Sequence, residues 1–150
     1  MLGKRFFNRL IKAAVLAILL CGGAQVVFGQ DSSKDIWKDP ATSLMWATKD
    51  NGAGVPWNAA RDYCASLRLG GFSDWRLATI DELSAMYDSK LKRDYKIKGP
   101  IDLSDSRVWS GSKTDAGDVW NFYFAYGGQS PSGTSGHAGS ARALCVRSAQ

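Results

Sequence analysis

The chain has 150 residues, of which 45% are apolar and 22% are charged. This composition is typical of a globular domain and argues against a disordered, collagen-like or multi-domain chain. Of the 19 Lys and Arg, four lie in residues 1–29, which leaves 15 against 14 Asp and Glu in residues 30–150, a net charge of +1. We therefore expect no nucleic-acid partner.

Residues 1–29 have the pattern of a secretory signal peptide. A basic stretch through Lys12 precedes an apolar run over residues 13–20, and small residues follow at 22–24 and at Gly29. The apolar run is too short to span a bilayer, although an uncleaved anchor is the alternative. We expect cleavage after Ala24 or Gly29 and a single domain over residues 30–150. This domain would lie in the periplasm or outside the cell, touching the membrane only transiently through its signal peptide.

Two cysteines remain after export, because Cys21 is expected to leave with the signal peptide. An oxidising compartment makes one disulfide between Cys64 and Cys145 the simplest outcome, with two buried free thiols as the alternative. The only histidine is His137, and it lies at no metal-ligand spacing from either cysteine. We therefore expect neither a metal nor a cofactor.

The first elements predicted in residues 30–150 are two short strands and two helices. Residues 36–38 and 44–46 flank a turn that contains Pro40, which indicates a hairpin. Residues 57–69 place Ala60 and Cys64 at helical spacing, and this pattern predicts a helix that ends at two glycines, Gly70 and Gly71.

The second helix has the sequence of a capping box at its start. Thr79 and Glu82 stand three residues apart, with Leu83 and Met86 supplying an apolar face, so a helix is expected over residues 80–88. The intervening residues 71–77 are too few for an element of their own, and Trp75 is expected to pack between the two helices.

The second half of the chain is β-rich. A strand starts at Val108, a turn follows at 114–118, and residues 119–126 alternate so that four aromatic residues share one face. Residues 127–140 are rich in Ser and Gly and predict a loop, after which residues 141–147 pair beside the aromatic strand. The order of hairpin, helices and antiparallel sheet predicts an α+β fold. The four aromatic residues are Trp120, Phe122, Phe124 and Tyr126.

Tryptophans could serve as stacking surfaces for sugars, but those of this chain lie in apolar segments, and we expect most of them in the core. They are Trp37, Trp46, Trp75, Trp109 and Trp120.

Pieces along residues 36–148 resemble the Lcl C-terminal domain, the C-terminal domain of a bacterial collagen-like adhesin and its secreted relatives. The specific piece is Asp-Trp-Arg-Leu at 74–77 followed by Thr79, Glu82 and Leu83. The other matching pieces are Asp39 with 42–46, Ala60, Tyr63, Cys64 and Leu67, 108–112, Trp120, Phe122, Phe124 and Gly127, and 142–147. Ala78 replaces the usual proline of the family, which affects the entry to the second helix.

The resemblance implies a C-type-lectin-like fold, with two helices packed on a twisted antiparallel sheet and the N- and C-terminal strands together. It also implies a disulfide from the first helix to the last strand, which Cys64 and Cys145 would form. Sugar-binding lectins of this fold hold calcium with a Glu-Pro-Asn or Gln-Pro-Asp triplet and a Trp-Asn-Asp motif. Here Phe122 follows Asn121 and the triplet is missing, so we expect no calcium-dependent sugar site.

Catalytic groups are scarce. His137 lies in a Ser/Gly loop, which favours an exposed histidine over a catalytic base. The carboxylates Asp81 and Glu82 are explained by helix capping, and Asp102 and Asp105 by turns. We therefore expect a protein that is not an enzyme. An oxidase-like enzyme on the same fold would need paired free cysteines, which the disulfide removes.

Positive charge is concentrated directly after the second helix. A solvated connecting loop and an anion-binding surface both explain such a run. The leading hypothesis is a non-enzymatic binding module of the bacterial envelope that recognises a glycan or a protein through residues 90–107 and 127–140. A structural or assembly component of the envelope is the alternative. The candidate ligand-binding residues are Lys90, Lys92, Arg93, Lys96 and Lys98.

Overall fold

The computed structural model describes residues 34–133 and 141–149. The predicted signal peptide, Cys21 and His137 lie outside these residues. Within them, two helices and seven strands confirm the α+β class. No helix of the described part is long and apolar enough to cross a membrane.

The elements follow one another as β1 (Ile36–Lys38), β2 (Leu44–Ala47), α1 (Trp57–Ser66), β3 (Arg76–Leu77), α2 (Ile80–Ala85), β4 (Arg107–Lys113), β5 (Val119–Tyr123), β6 (Gly128–Ser132) and β7 (Cys145–Ser148). They form two antiparallel sheets, one in the order β1-β2-β7-β3 and the other in the order β4-β5-β6.

The first sheet begins with the hairpin that the sequence predicts. Asp39 shapes its turn, because one carboxylate oxygen accepts from the Ala41 N–H at 3.0 Å and the other accepts from the Thr42 hydroxyl at 2.8 Å. Strand β7 then inserts between β2 and β3. The hairpin and the last strand of the chain therefore belong to one sheet.

The pairing expected for residues 141–147 is wrong. These residues do not lie beside the aromatic strand, since β4 and β6 occupy the two edges of β5. Strand β6 comes from residues 128–132, which the sequence analysis assigned to a loop. Their backbone groups complete the ladder without apolar side chains, and a side-chain pattern does not reveal such a strand. Among residues 141–147, only Arg142 forms backbone hydrogen bonds with the sheet β4-β5-β6. Its carbonyl accepts from the Trp109 N–H at 2.9 Å.

Helix α1 is shorter than expected. It ends at Ser66 because Leu67 is already extended, with φ −62° and ψ 133°. The two glycines instead form a tight turn, with φ values of +63° and +80°, in which Leu69 and Phe72 exchange backbone hydrogen bonds. The glycine pair thus marks a hairpin turn rather than the end of the helix.

The capping box of α2 is confirmed. The Thr79 hydroxyl accepts from the Glu82 N–H at 3.2 Å, and the Glu82 carboxylate accepts from the Thr79 N–H at 2.8 Å. The helix ends at Ala85 rather than at residue 88, because the chain then turns into a bridge between Tyr87 and Ile97.

Residues 71–77 do form part of an element, because β3 pairs with β7. Trp75 is 3% exposed and belongs to the hydrophobic cluster that contains the buried side of α1. Leu83 of α2 belongs to the other cluster. Trp75 therefore shares its cluster with α1 and not with α2, so the expected position between the two helices is not confirmed.

The core has two clusters, and the disulfide lies in the second. Cys64 of α1 and Cys145 of β7 are bonded, with Sγ atoms 2.05 Å apart, which confirms the expected bridge. Trp46, Trp75 and Trp109 are buried as expected, whereas Trp37 and Trp120 are half-buried. The main members of the first cluster are Trp46, Leu83, Met86, Phe122 and Phe124.

The aromatic strand ends earlier than its alternation predicts. Strand β5 stops at Tyr123, and residues 124–127 form a turn that closes with Gly127 at φ +78°. Phe122 and Phe124 are buried, with ring centroids 4.8 Å apart, but Tyr126 is 65% exposed. The expectation that Tyr126 shares one face of the strand with the other three aromatic residues is therefore wrong, since Tyr126 lies in the turn.

Candidate functional site

The segment that carries the five basic candidates, residues 90–98, is called the basic segment below. Its backbone is anchored at its base. The Asp88 N–H donates to the Lys96 carbonyl at 3.0 Å, and the Lys98 N–H donates to the Met86 carbonyl at 2.8 Å. Tyr87 and Ile97 face each other between these bonds as an antiparallel bridge. Residues 88–96 therefore form a closed loop on a short ladder.

The start of this loop is organised by one residue, Asp88. The Asp88 carboxylate accepts from the Lys90 N–H at 2.9 Å, and the Asp88 carbonyl accepts from the Leu91 N–H at 3.2 Å. This arrangement is an Asx-type turn, which fixes the direction of the chain as it leaves the ladder. Lys92 and Arg93 follow the turn and are exposed.

Two of the candidate cations also have structural contacts. The Lys98 ammonium donates to the Ala85 carbonyl at 2.7 Å, at the carboxyl end of α2, where a positive charge stabilises the helix. The Arg93 guanidinium donates to the Gly99 carbonyl at 3.3 Å. Lys96 is half-buried, and its N–H donates to the Phe124 carbonyl at 2.8 Å. Four of the five residues thus lie on the closed loop, and Lys98 lies at the ladder just after it. Lys90 and Lys92 are exposed on the loop.

The basic segment has the opposite charge to the remainder of the domain. It contains five basic residues and one acidic residue, a net charge of +4. The other residues of 30–150 contain ten basic and 13 acidic side chains, a net charge of −3. None of the ion pairs formed among the described residues includes a cation of the basic segment. An anion that approaches this face therefore meets a local positive field.

A pocket of about 250 Å³ opens beside the basic segment. Ile97, Ile101 and Leu103, which are buried, form its apolar part. Charged side chains and one half-buried tyrosine complete the lining: Arg93, Asp94, Tyr95 and Asp102. The pocket is large enough for one side chain or one sugar ring, not for a drug-sized ligand.

The turn over residues 124–127 lies against the base of the basic segment. Besides the bond between Lys96 and Phe124, Gly127 packs directly on the ring of Tyr87. This turn exposes Tyr126, whose ring stacks on Tyr123 at 5.2 Å between centroids. The alternation of aromatic residues did not predict this aromatic pair, although the two glycines at 127 and 128 signal a reversal that interrupts the alternation.

The acidic candidates are used in local structure. Glu82 accepts two hydrogen bonds from the Arg76 guanidinium, at 2.8 Å and 2.7 Å, in addition to its cap contact. The hydrogen bond from Arg76 lowers the pKa of Glu82, against the opposing effect of partial burial. Asp105 accepts from the Arg107 N–H at 3.2 Å and lies 3.7 Å from Arg142. Within residues 34–133 and 141–149, no group of three or more His, Cys, Asp and Glu is arranged to hold a metal ion.

A family model described as the Lcl C-terminal domain matches residues 35–147. The match runs from the start of β1 into β7 and thus includes the basic segment, the pocket and the tyrosine turn. A search of the curated proteins gives no significant match.

Proposed function

Since the chain belongs to the Lcl C-terminal domain family, we propose that it is a secreted or periplasmic binding module of the bacterial envelope. In this proposal it is not an enzyme, and it recognises an anionic glycan through the basic segment without calcium. An envelope protein with an acidic surface is the partner that the same charges would otherwise attract.

The proposal includes a C-type-lectin-like fold. Support comes from the first sheet, in which the hairpin at the start of the domain pairs with β7 near its end. The disulfide from α1 to β7 is a second point of agreement. Both features are what the resemblance to the family implies, and they bring the two halves of the domain together around one core.

The observation that carries the binding role is the anchored base of the basic segment. A ladder at its base, an Asx turn beside the ladder and a backbone bond to the turn over residues 124–127 hold the segment in one backbone conformation. These contacts limit the positions of the backbone that carries the cations before a ligand arrives, so less backbone conformational entropy is lost on binding. The position of a +4 segment on a domain that is otherwise −3 favours anions over neutral or cationic ligands.

Retention on a dextran sulfate column tests the proposal. We expect the wild type to elute at higher salt than a triple variant in which Lys92, Arg93 and Lys96 are changed to Ser, because the variant lacks three of the cations that attract the polyanion. Salt elutes both proteins, since exposed charges are screened over about 8 Å at physiological ionic strength. A chelator should leave retention unchanged.

The matched control removes the same charges elsewhere on the surface. Lys34, Lys38 and Arg68 are exposed and lie outside the basic segment, so changing all three to Ser lowers the net charge equally. The control variant should be retained nearly as strongly as the wild type. Equal retention of the wild type and the folded basic-segment variant would show that this segment is only a connector.

A further inference from the structure

Tyr126 is the most exposed of the large apolar side chains in the described part of the chain, at 65%. Its ring is nevertheless held in a defined orientation. It lies nearly parallel to Tyr123, with an interplanar angle of 19° and centroids 5.2 Å apart. On another side it covers Gly128, where a Cβ atom would collide with the ring. One face of an aromatic ring is thus supported while much of the ring remains in water.

The tyrosine pair has a cationic neighbour. The Arg107 guanidinium lies 5.3 Å from the centroid of the Tyr123 ring and 5.7 Å from that of Trp109, which is buried. Arg107 and Tyr123 are opposite each other on β4 and β5. This cation–π contact supports the ring on which Tyr126 stacks.

Gly127 fixes the turn that carries the ring. Its φ of +78° is a conformation that other residues rarely adopt, and the ring of Tyr87 fills the space where its side chain would be. Tyr87 belongs to the ladder at the base of the basic segment. The turn that carries Tyr126 therefore packs against the same ladder that anchors the basic segment.

The chemistry of the site selects among ligands that stack on tyrosine. The ring face carries partial negative charge and attracts either a cation or polarised C–H bonds. Cationic ligands are disfavoured here, because the basic segment, with its net charge of +4, adjoins this turn. The contact is the hydrogen bond from the Lys96 N–H to the Phe124 carbonyl. A pyranose ring has a face of axial C–H bonds of the same size as a tyrosine ring, and its edge carries hydroxyl or anionic groups.

We propose that Tyr126, supported by Tyr123, is a stacking site for one pyranose ring of a bound glycan. Neighbouring anionic groups of that glycan lie toward the basic segment. This inference deepens the proposed function and rests on it. It assigns recognition of the sugar ring to the turn and attraction of the charge to the basic segment.

The two contributions can be separated by their salt dependence. Dextran sulfate is titrated into the wild type, Tyr126→Ala and Tyr126→Phe at several salt concentrations, and affinity is measured by calorimetry. Loss of one aromatic stacking contact should weaken binding about three- to tenfold at every salt concentration. Tyr126→Phe keeps the ring and should bind as the wild type does. The triple variant at Lys92, Arg93 and Lys96 should instead flatten the salt dependence.

Tyr63→Ala is the matched control, because Tyr63 is 38% exposed and lies on α1. This variant should bind as the wild type does. Equal affinities of Tyr126→Ala and the wild type would overturn the stacking site, while weakened binding by the triple variant in the same series would leave the proposed function standing. Failure of the wild type to bind dextran sulfate would overturn both.

Discussion

Charged side chains at the residue scale mainly hold the chain in place. Arg147 is 3% exposed, yet its guanidinium donates to the Asp74 carboxylate at 2.7 Å and 3.0 Å and lies 3.8 Å from the centroid of the Phe72 ring. The hydrogen bond from Arg147 lowers the pKa of Asp74. Glu82 has the equivalent relation to Arg76, and its carboxylate also caps α2. Carboxylates of this kind stabilise the fold only while they are ionised.

The first prediction concerns Glu82→Gln, which keeps the cap acceptor but removes the charge. The pKa of Glu82 lies below its ordinary value of 4.5 in the folded state. Its charge therefore contributes stability fully above pH 4.5, and this contribution is lost as the pH falls through the lowered folded value. We expect the variant to be about 1 kcal/mol less stable at pH 7, as for a well-formed exposed pair.

Urea denaturation at a series of pH values measures this difference. The stabilities of Glu82→Gln and the wild type should converge as the pH falls below 4.5. A difference that stays constant with pH would mean that the pair with Arg76 contributes nothing through its charge.

Secondary-structure elements with a local chemical signature were predictable from the sequence. The capping box at Thr79 is such a signature, because it satisfies backbone groups within four residues. Strand β6 has no local signature, since its residues gain their place only from the edge that β5 offers. The basic segment was found from its charge, but its ladder and the exposed Tyr126 depend on contacts between distant parts of the chain. Such contacts leave no periodic pattern in the sequence.

The second prediction concerns the cap of α2. Helix α2 has only six residues, so its first turn is a large part of the element. Thr79→Ala removes the hydroxyl that accepts from the Glu82 N–H and should cost about 1 kcal/mol. Ser84→Ala is the control, because Ser84 is exposed on the same helix. Thermal denaturation should show a lower Tm for Thr79→Ala alone, and equal losses in both variants would contradict the cap.

At the scale of the domain, one disulfide links distant parts of the chain within the described residues. The disulfide joins residues 81 positions apart and connects α1 to the strand between β2 and β3. Both cysteines are buried, at 0% and 1% exposure, within the second hydrophobic cluster. In the chain-entropy account a loop of this length stabilises the folded state by about 4.5 kcal/mol. This is a large share of the net stability of a small domain.

The third prediction is that Cys64→Ala with Cys145→Ala lowers the free energy of unfolding by about 2–5 kcal/mol. Urea denaturation of the double variant and the wild type measures the loss. Reduction of the native protein by dithiothreitol should be slow without denaturant, because both sulfur atoms are inaccessible. Rapid reduction of the folded wild type would contradict the burial of the bridge.

The ladder at the base of the basic segment holds the two ends of the loop together through backbone bonds. Bonds at Met86, Asp88, Lys96 and Lys98 close the loop whatever its tip contains. Doubling the length of such a loop raises its closure free energy by only about 0.6 kcal/mol. Substitutions of exposed residues of the loop, such as Lys90 and Lys92, are therefore expected to leave the two sheets and the core unchanged. Under the proposed function, one scaffold could change its ligand through mutation of a few exposed positions, as antibody domains do with their hypervariable loops.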